Sequence, residues 1–193
     1  MTHPMNPHPE TSAEKPMPLI AISGKPYSGK DSLAEILLRH LPGWRQRAIA
    51  QAIKQQYAQE QQLNVADVEA HKATHRPGLI ALANRYRTQD PGYWLLQALE
   101  LPVDESVQGL IFSDLRLRRE KEILQQRRCF CIRVEASQAV RAQRGQLVAE
   151  EQQTECDLDH ETDWNACIEN NNALEALQET VCQELLPLIR SFF

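Results

Sequence analysis

Residues 24–32 read Gly-Lys-Pro-Tyr-Ser-Gly-Lys-Asp-Ser, and the fold is decided by how this stretch is read. Gly24, Gly29 and Lys30 fall at the Gly-x4-Gly-Lys spacing of a phosphate-binding loop. The slot after Gly-Lys usually holds a Ser or Thr hydroxyl that binds Mg²⁺; here Asp31 takes it and Ser32 follows. The spacing alone is a weak signal, and its context strengthens it. "PLIAISG" (18–24) is an apolar run ending in glycine, as in a buried parallel strand. "DSLAEILLRHL" (31–41) puts Leu33, Ile36, Leu37 and Leu41 at helical spacing, and Pro42 and Gly43 stop that helix.

A strand–loop–helix of this kind binds anions for physical reasons. Gly24 and Gly29 permit backbone conformations that a side chain obstructs. The N–H groups across Lys25 to Gly29 can then converge into a nest, with the helix dipole behind them. Lys30 can reach the outer phosphates of a nucleotide and stay with charge that migrates during transfer. Asp31 has two readings of equal weight. It is a hard oxygen ligand for Mg²⁺ beside Ser32, or a carboxylate favoured in the first turn of a helix.

Beyond the loop, helical and strand patterns alternate. "WRQRAIA" (44–50) is read as a strand near Arg47 to Ala50, with a helix from about Gln51. Asn64 caps a helix in "NVADVEAHK" (64–72); "RPGLIALANRYRTQ" (76–89) is a helix with Pro77 near its first turn; Asp90 caps the next. "QGLIFSD" (108–114), "CFCIRVEA" (129–136) and "WNACIEN" (164–170) are strands. "LRLRREKEILQQR" (115–127) and the Ser137-capped, basic "SQAVRAQRGQ" (137–146) are helices, and a closing helix from 172 is disturbed at Pro187. "LVAEEQQTECDLDHETD" (147–163) is polar, acidic and poor in anchors, and is read as mobile. The expected architecture is α/β: a parallel sheet with helices on both faces and a lid segment at about 138–160. Residues 1–17 form a Pro-, His- and Glu-containing tail, and 18–193 a single domain.

In such sheets ligands sit beyond the carboxyl ends of the strands. There the chain offers the loop and, after the second clear strand, Asp114 and Arg116. Asp114 is read as a metal-side carboxylate or as a cap for the following helix. Arg76, Arg87, Arg116, Arg133, Arg141 and Arg144 could converge on phosphates, and Arg141 and Arg144 could close a lid over them. The net charge of −5 argues against a general nucleic-acid binder. No apolar run approaches a membrane span, and no secretory signal is seen. Five cysteines without Cys-x-x-Cys spacing fit reduced thiols in a cytoplasmic protein. A monomer or weak dimer acting on a small-molecule substrate is expected.

"SGKPYSGKDSLAEIL" (23–37) resembles the loop of the animal-type phosphomevalonate kinases, in which Asp follows Gly-Lys. The likeness continues through "IKQQYAQEQQLN", "RTQDPGYW", "FSDLR", "IRVEASQAVRAQRGQ", "ECDLD" and "WNACIEN", from about Pro18 onward. It implies a P-loop, nucleoside-monophosphate-kinase-like fold and γ-phosphoryl transfer from ATP, with Mg²⁺, to (R)-5-phosphomevalonate. Lys30, Asp31, Arg116 and Arg141 would then be catalytic. Gly24, Lys25, Ser28, Gly29, Ser32, Arg133, Arg144 and Asn170 would hold ATP, with Asn170 near the base. Lys54, Lys72, Arg76, Arg87, Asp114 and Arg116 would hold the acceptor, and Asp31 and Ser32 the metal. The chain departs from the family pattern at Pro26 and Tyr27, where basic residues are expected, and at Leu117, which separates arginines that are adjacent in the family. Two alternatives stand beside this reading. One is a deoxynucleoside monophosphate kinase with Tyr86, Tyr93 and Trp94 as its base slot. The other is a non-catalytic nucleotide-binding protein.

Overall fold

The computed structural model describes residues 16–147 and 156–193. Nearly all of the expected N-terminal tail, and residues 148–155 of the expected lid, lie outside the described residues.

Leu19–Ser23 (β1) is buried at all five positions, as a strand covered on both faces must be. Lys30–His40 (α1) follows the loop, then Trp44–Arg47 (β2) and Ile49–Glu60 (α2). Val65–Ala70 (α3), Lys72–Arg87 (α4) and Tyr93–Glu100 (α5) lead to Gly109–Leu115 (β3). Arg118–Gln126 (α6), Phe130–Glu135 (β4) and Gln138–Arg144 (α7) come next. Ala166–Glu169 (β5) precedes Leu174–Thr180 (α8), a π-helical turn at Val181–Leu185, and Leu186–Phe192 (α9). No described helix is long and apolar enough to cross a membrane.

The sheet is ordered β2-β3-β1-β4-β5 and every pairing is parallel. Ile20 registers with Ile111 on one side and Phe130 on the other, so β1 is central. Side chains along β1 alternate between two cores. Leu19 and Ala21 face a cluster with Trp94, Leu95 and Phe112, while Ile20 and Ile22 face Leu33, Leu37, Val181 and Ile189. The connection from β1 runs to β2 on one side and that from its neighbour β3 runs to β4 on the other, which opens a crevice beyond the carboxyl ends of these two strands. The loop at 24–29 fills that place.

Four local expectations are corrected. The strand in "WRQRAIA" ends at Arg47 and the helix begins at Ile49, earlier than Gln51. The cause is distant: Asp114 accepts from the Ile49 and Ala50 N–H groups at 2.8 and 3.0 Å and caps α2 across the sheet. Pro77 lies inside α4 rather than in its first turn, because the helix already begins at Lys72. Asp90 precedes α5 without being its N-cap; its Oδ1 accepts from the N–H of Gly92, the capping residue. The acidic stretch, in its described part, is well anchored. Leu158 is buried, Asp157 accepts from the Arg118 N–H at 2.7 Å, and Glu161 pairs with Arg118 and Lys121. The disturbance expected near Pro187 is present as the π-helical turn just before it, where the ladder adjusts to a residue without an N–H.

Lys121 is the sharpest consequence of that anchoring. Its side chain is 1% exposed, its Nζ sits 2.8 Å from Glu161 Oε2, and the Trp164 ring lies 4.5 Å away. Glu161→Ala strands this ammonium and is expected to lower the unfolding free energy by about 2 kcal/mol or more. Adding Lys121→Met should recover part of the loss, since an apolar side chain needs no partner there. Urea denaturation measures both, and a Glu161→Ala change below about 0.5 kcal/mol would contradict the account.

Candidate active site

The loop is built around two glycines that nothing else can replace. Gly24 has φ 155°, and a Cβ there would lie 2.3 Å from the Val134 carbonyl oxygen. Gly29 has φ 104°, and a Cβ would lie 2.1 Å from Asn170 Nδ2. The loop carbonyls are taken by side chains. Lys30 Nζ donates to Lys25 O at 2.9 Å, and Asn170 Nδ2 and Arg144 Nη1 donate to Ser28 O at 2.8 and 3.4 Å. Lys25 O also accepts from the Ser28 N–H at 3.1 Å, which closes a tight turn, and the concave side beyond that turn is where an anion would be bound. Gly29 is also the N-cap of α1, so the first N–H groups of that helix face the same space.

Tyr27 has a structural role where a basic residue was expected. Tyr27 takes a left-handed φ of 61°, and its ring lies against the backbone of Gly145 at the end of α7. The loop is thereby tied to α7 by packing and by the Arg144 hydrogen bond.

A cavity of about 340 Å³ opens beside the loop, lined among others by Lys25, Ser28, Arg133, Ser137, Arg141 and Asn171. Ser28, at its edge, has a buried Oγ with no hydrogen-bond partner. Arg133, from β4, is 7% exposed; it donates to Ser23 Oγ and Asp159 Oδ1 at 3.2 and 3.1 Å. Arg141 is buried, with Nε donating to Ala136 O at 3.2 Å. Asn170 fastens the loop itself, by the contacts above.

On the other side of the loop stands the end of β3. Arg116 and Arg133 both act on Lys30, whose ammonium is pushed down to about 8, first by burial and then by these cations, against Asp31 and Asp114. The structure thus groups Lys30, Asp31, Asp114, Arg116 and Arg133. Asp31 is exposed in the first turn of α1 and Ser32 is half-buried. Both Asp114 oxygens serve as the α2 cap, a different helix from the one anticipated, and burial pushes its carboxyl up. Arg87 has a buried Nε with no hydrogen-bond partner and feels Glu120, Arg116 and Asp114.

Glu120 is a residue that sequence reasoning missed. It is 1% exposed, and its Oε2 accepts from the Arg116 and Leu117 N–H groups at 3.1 and 3.0 Å. Burial raises its carboxyl to about 7, against those two hydrogen bonds. It fixes the turn that carries Arg116. The available signal was a Glu three residues after the helix cap, weakened because the cap is Leu117 instead of Ser or Thr.

Lys54 and Lys72 form their own group on α2 and α4, both paired with Glu69 from α3. Arg76 is exposed on α4. The aromatic trio is spent on packing: Tyr86 and Tyr93 stack at 4.4 Å, and Trp94 is fully buried with its Nε1 donating to Ala83 O.

Comparison with known proteins agrees with this geometry. The family model described as phosphomevalonate kinase matches residues 22–130. A phosphomevalonate kinase of Drosophila melanogaster is 27% identical over 173 residues, covering 82% of this chain and 91% of that protein. The family match runs from β1 through the loop and the Arg116 turn to the start of β4, more than half of the 193 residues. The chain belongs to the phosphomevalonate kinase family and is a kinase.

Proposed function

We propose that the chain transfers the γ-phosphoryl group of ATP to (R)-5-phosphomevalonate, giving 5-diphosphomevalonate and ADP for isoprenoid synthesis. The observation that carries this reading is Lys30, held at the start of α1 by Lys25 O at the end of a glycine-bounded loop, with an ammonium that burial and the charges of Arg116 and Arg133 push down to about 8. Family membership supplies the acceptor. The reading includes a cytoplasmic setting, which the free cysteines suit.

Donor and acceptor are both anionic here, so their approach is opposed by repulsion. The attacking phosphate oxygen is already ionised near neutrality, and no general base is needed. What the chain must supply is positioning and charge neutralisation. The N–H groups of Gly29 and of the first turn of α1 hold the outer donor phosphates, and Lys30 stays with the migrating phosphoryl. Arg116 draws the acceptor phosphate into line, with Arg87 behind it and Lys54, Lys72 and Arg76 extending the acceptor side. Arg133, Arg141 and Arg144 serve the donor. Asp31 and Ser32 offer hard oxygen donors at the start of α1 and would hold Mg²⁺, which when bound neutralises phosphate charge.

The acceptor is tested by ADP release from ATP and Mg²⁺ with phosphomevalonate, dTMP, dGMP and dCMP in turn. Turnover is expected with phosphomevalonate; turnover with the nucleotides alone defeats the reading. Lys30→Met should lower kcat about a hundredfold or more, with the circular dichroism spectrum kept. An unchanged kcat would remove the loop from the mechanism.

Lys30 also predicts a proton linkage. Its free ammonium titrates near pH 8, so the site loses this charge as pH rises through that value. Bound phosphates favour the charged form and raise the pKa again. ADP binding at about pH 8.5 should therefore take up a proton, and affinity should fall above about pH 8. Calorimetry in two buffers of different ionisation enthalpy measures the uptake, and none at that pH would count against the assignment.

A further inference from the structure

The turn after residue 155 has no part in the transfer described above, yet it sets a carboxylate among the donor-side cations. Asp159 Oδ2 lies 2.8 Å from Lys25 Nζ, and Oδ1 accepts from Arg133 Nη2 at 3.1 Å. One carboxylate thus spans a loop lysine and a buried strand arginine, each with an oxygen of its own. Phosphate oxygens are held by the same kind of contact. Both cations line the 340 Å³ cavity beside the loop.

The carboxylate is held there and yet can be reached. Asp157 on the Arg118 N–H and Glu161 on Arg118 and Lys121 pin the segment on either side, while the Asp159 side chain keeps 26% exposure. Burial pushes its carboxyl up, but the hydrogen bonds and charges of Lys25 and Arg133 outweigh that and hold it low. It is therefore an anion in a place built for anions.

We propose that Asp159 is a placeholder: a positioning residue that occupies Lys25 and Arg133 until nucleotide phosphates take them, and so sets how tightly ADP is held. This rests on the reading of the loop as a nucleotide site. The physical argument is a linkage. Asp159 stabilises the ligand-free protein by offsetting repulsion among Lys25, Lys30 and Arg133. In the complex the phosphates supply that offset, and Asp159 is left with weakened partners and a negative neighbour. A group that favours the free state over the bound state lowers affinity. Its benefit is release of product, which limits turnover in many enzymes with buried ligands.

The test is ADP binding by calorimetry at low ionic strength. Asp159→Asn should bind ADP about threefold to tenfold more tightly than the wild type, while its ligand-free melting temperature falls. Asp159→Glu should stay near wild type. In a Lys25→Met background the gain from Asp159→Asn should shrink, because one of the two displaced partners is gone. Asp159→Ser is the second neutral variant, and the same tightening is required of whichever neutral variant folds. A purely structural Asp159 would give weaker or equal ADP binding in the neutral variants. That result, with wild type binding ADP, overturns this inference alone; a wild type that binds no ADP overturns the nucleotide reading and this inference together.

Discussion

Like charge gathered at one end of a sheet is the constraint on which the rest of this structure depends. Lys25, Lys30, Arg116 and Arg133 all reach the space beyond β1, and two unit charges about 5 Å apart repel by about 3 kcal/mol at an effective dielectric near 20. The depressed Lys30 ammonium is the direct trace of that repulsion together with burial. The fold meets it by bringing carboxylates from separate elements. Asp159 comes from the turn before β5, Asp114 from the end of β3 and Glu120 from inside α6. Two of them also hold the fold together. Asp114 starts α2, and Glu120 closes the Arg116 turn. The charges that make the site and the contacts that hold its walls are the same atoms.

The loop follows the same economy. Its binding groups are backbone N–H donors, which carry no sequence signature beyond the glycines. What orients them is the capture of Lys25 O and Ser28 O by Lys30, Asn170 and Arg144. Two of these donors come from beyond residue 140, so the loop is shaped by the far end of the chain as much as by its own residues.

That distribution explains what was legible in the sequence. β1, α1, β3 and β4 were readable because each is a local period: an apolar run for a doubly covered strand, or Leu33, Ile36 and Leu37 on one helix face. The Gly-Lys-Asp loop was readable because its glycines are required by backbone conformation, at φ 155° and 104°. The start of α2 was not, because the residue that caps it lies more than sixty positions away. Asp159 and Glu161 read in sequence as part of a mobile acidic run because their partners, Lys25, Arg133, Arg118 and Lys121, are set by the fold and leave no local pattern. Long-range capping and ion pairing are the features a periodicity argument cannot reach.

Pro26 and Tyr27 now fit the same electrostatic logic. Two more basic side chains in this loop would add to the repulsion already felt by Lys30 and would call for further carboxylates. The chain instead places a rigid residue and an aromatic one, and the Tyr27 ring packs on Gly145 at the foot of α7, next to Arg144. Packing is non-directional in charge and costs the site nothing when the phosphates arrive, whereas every added ion pair would have to be re-partnered. A loop with fewer cations and a better mechanical tie to α7 can hold its donors in place by contact. The cations that remain, Lys25 and Lys30, are each held by an oxygen acceptor, a carboxylate for one and a carbonyl for the other, in contacts that a phosphate can replace.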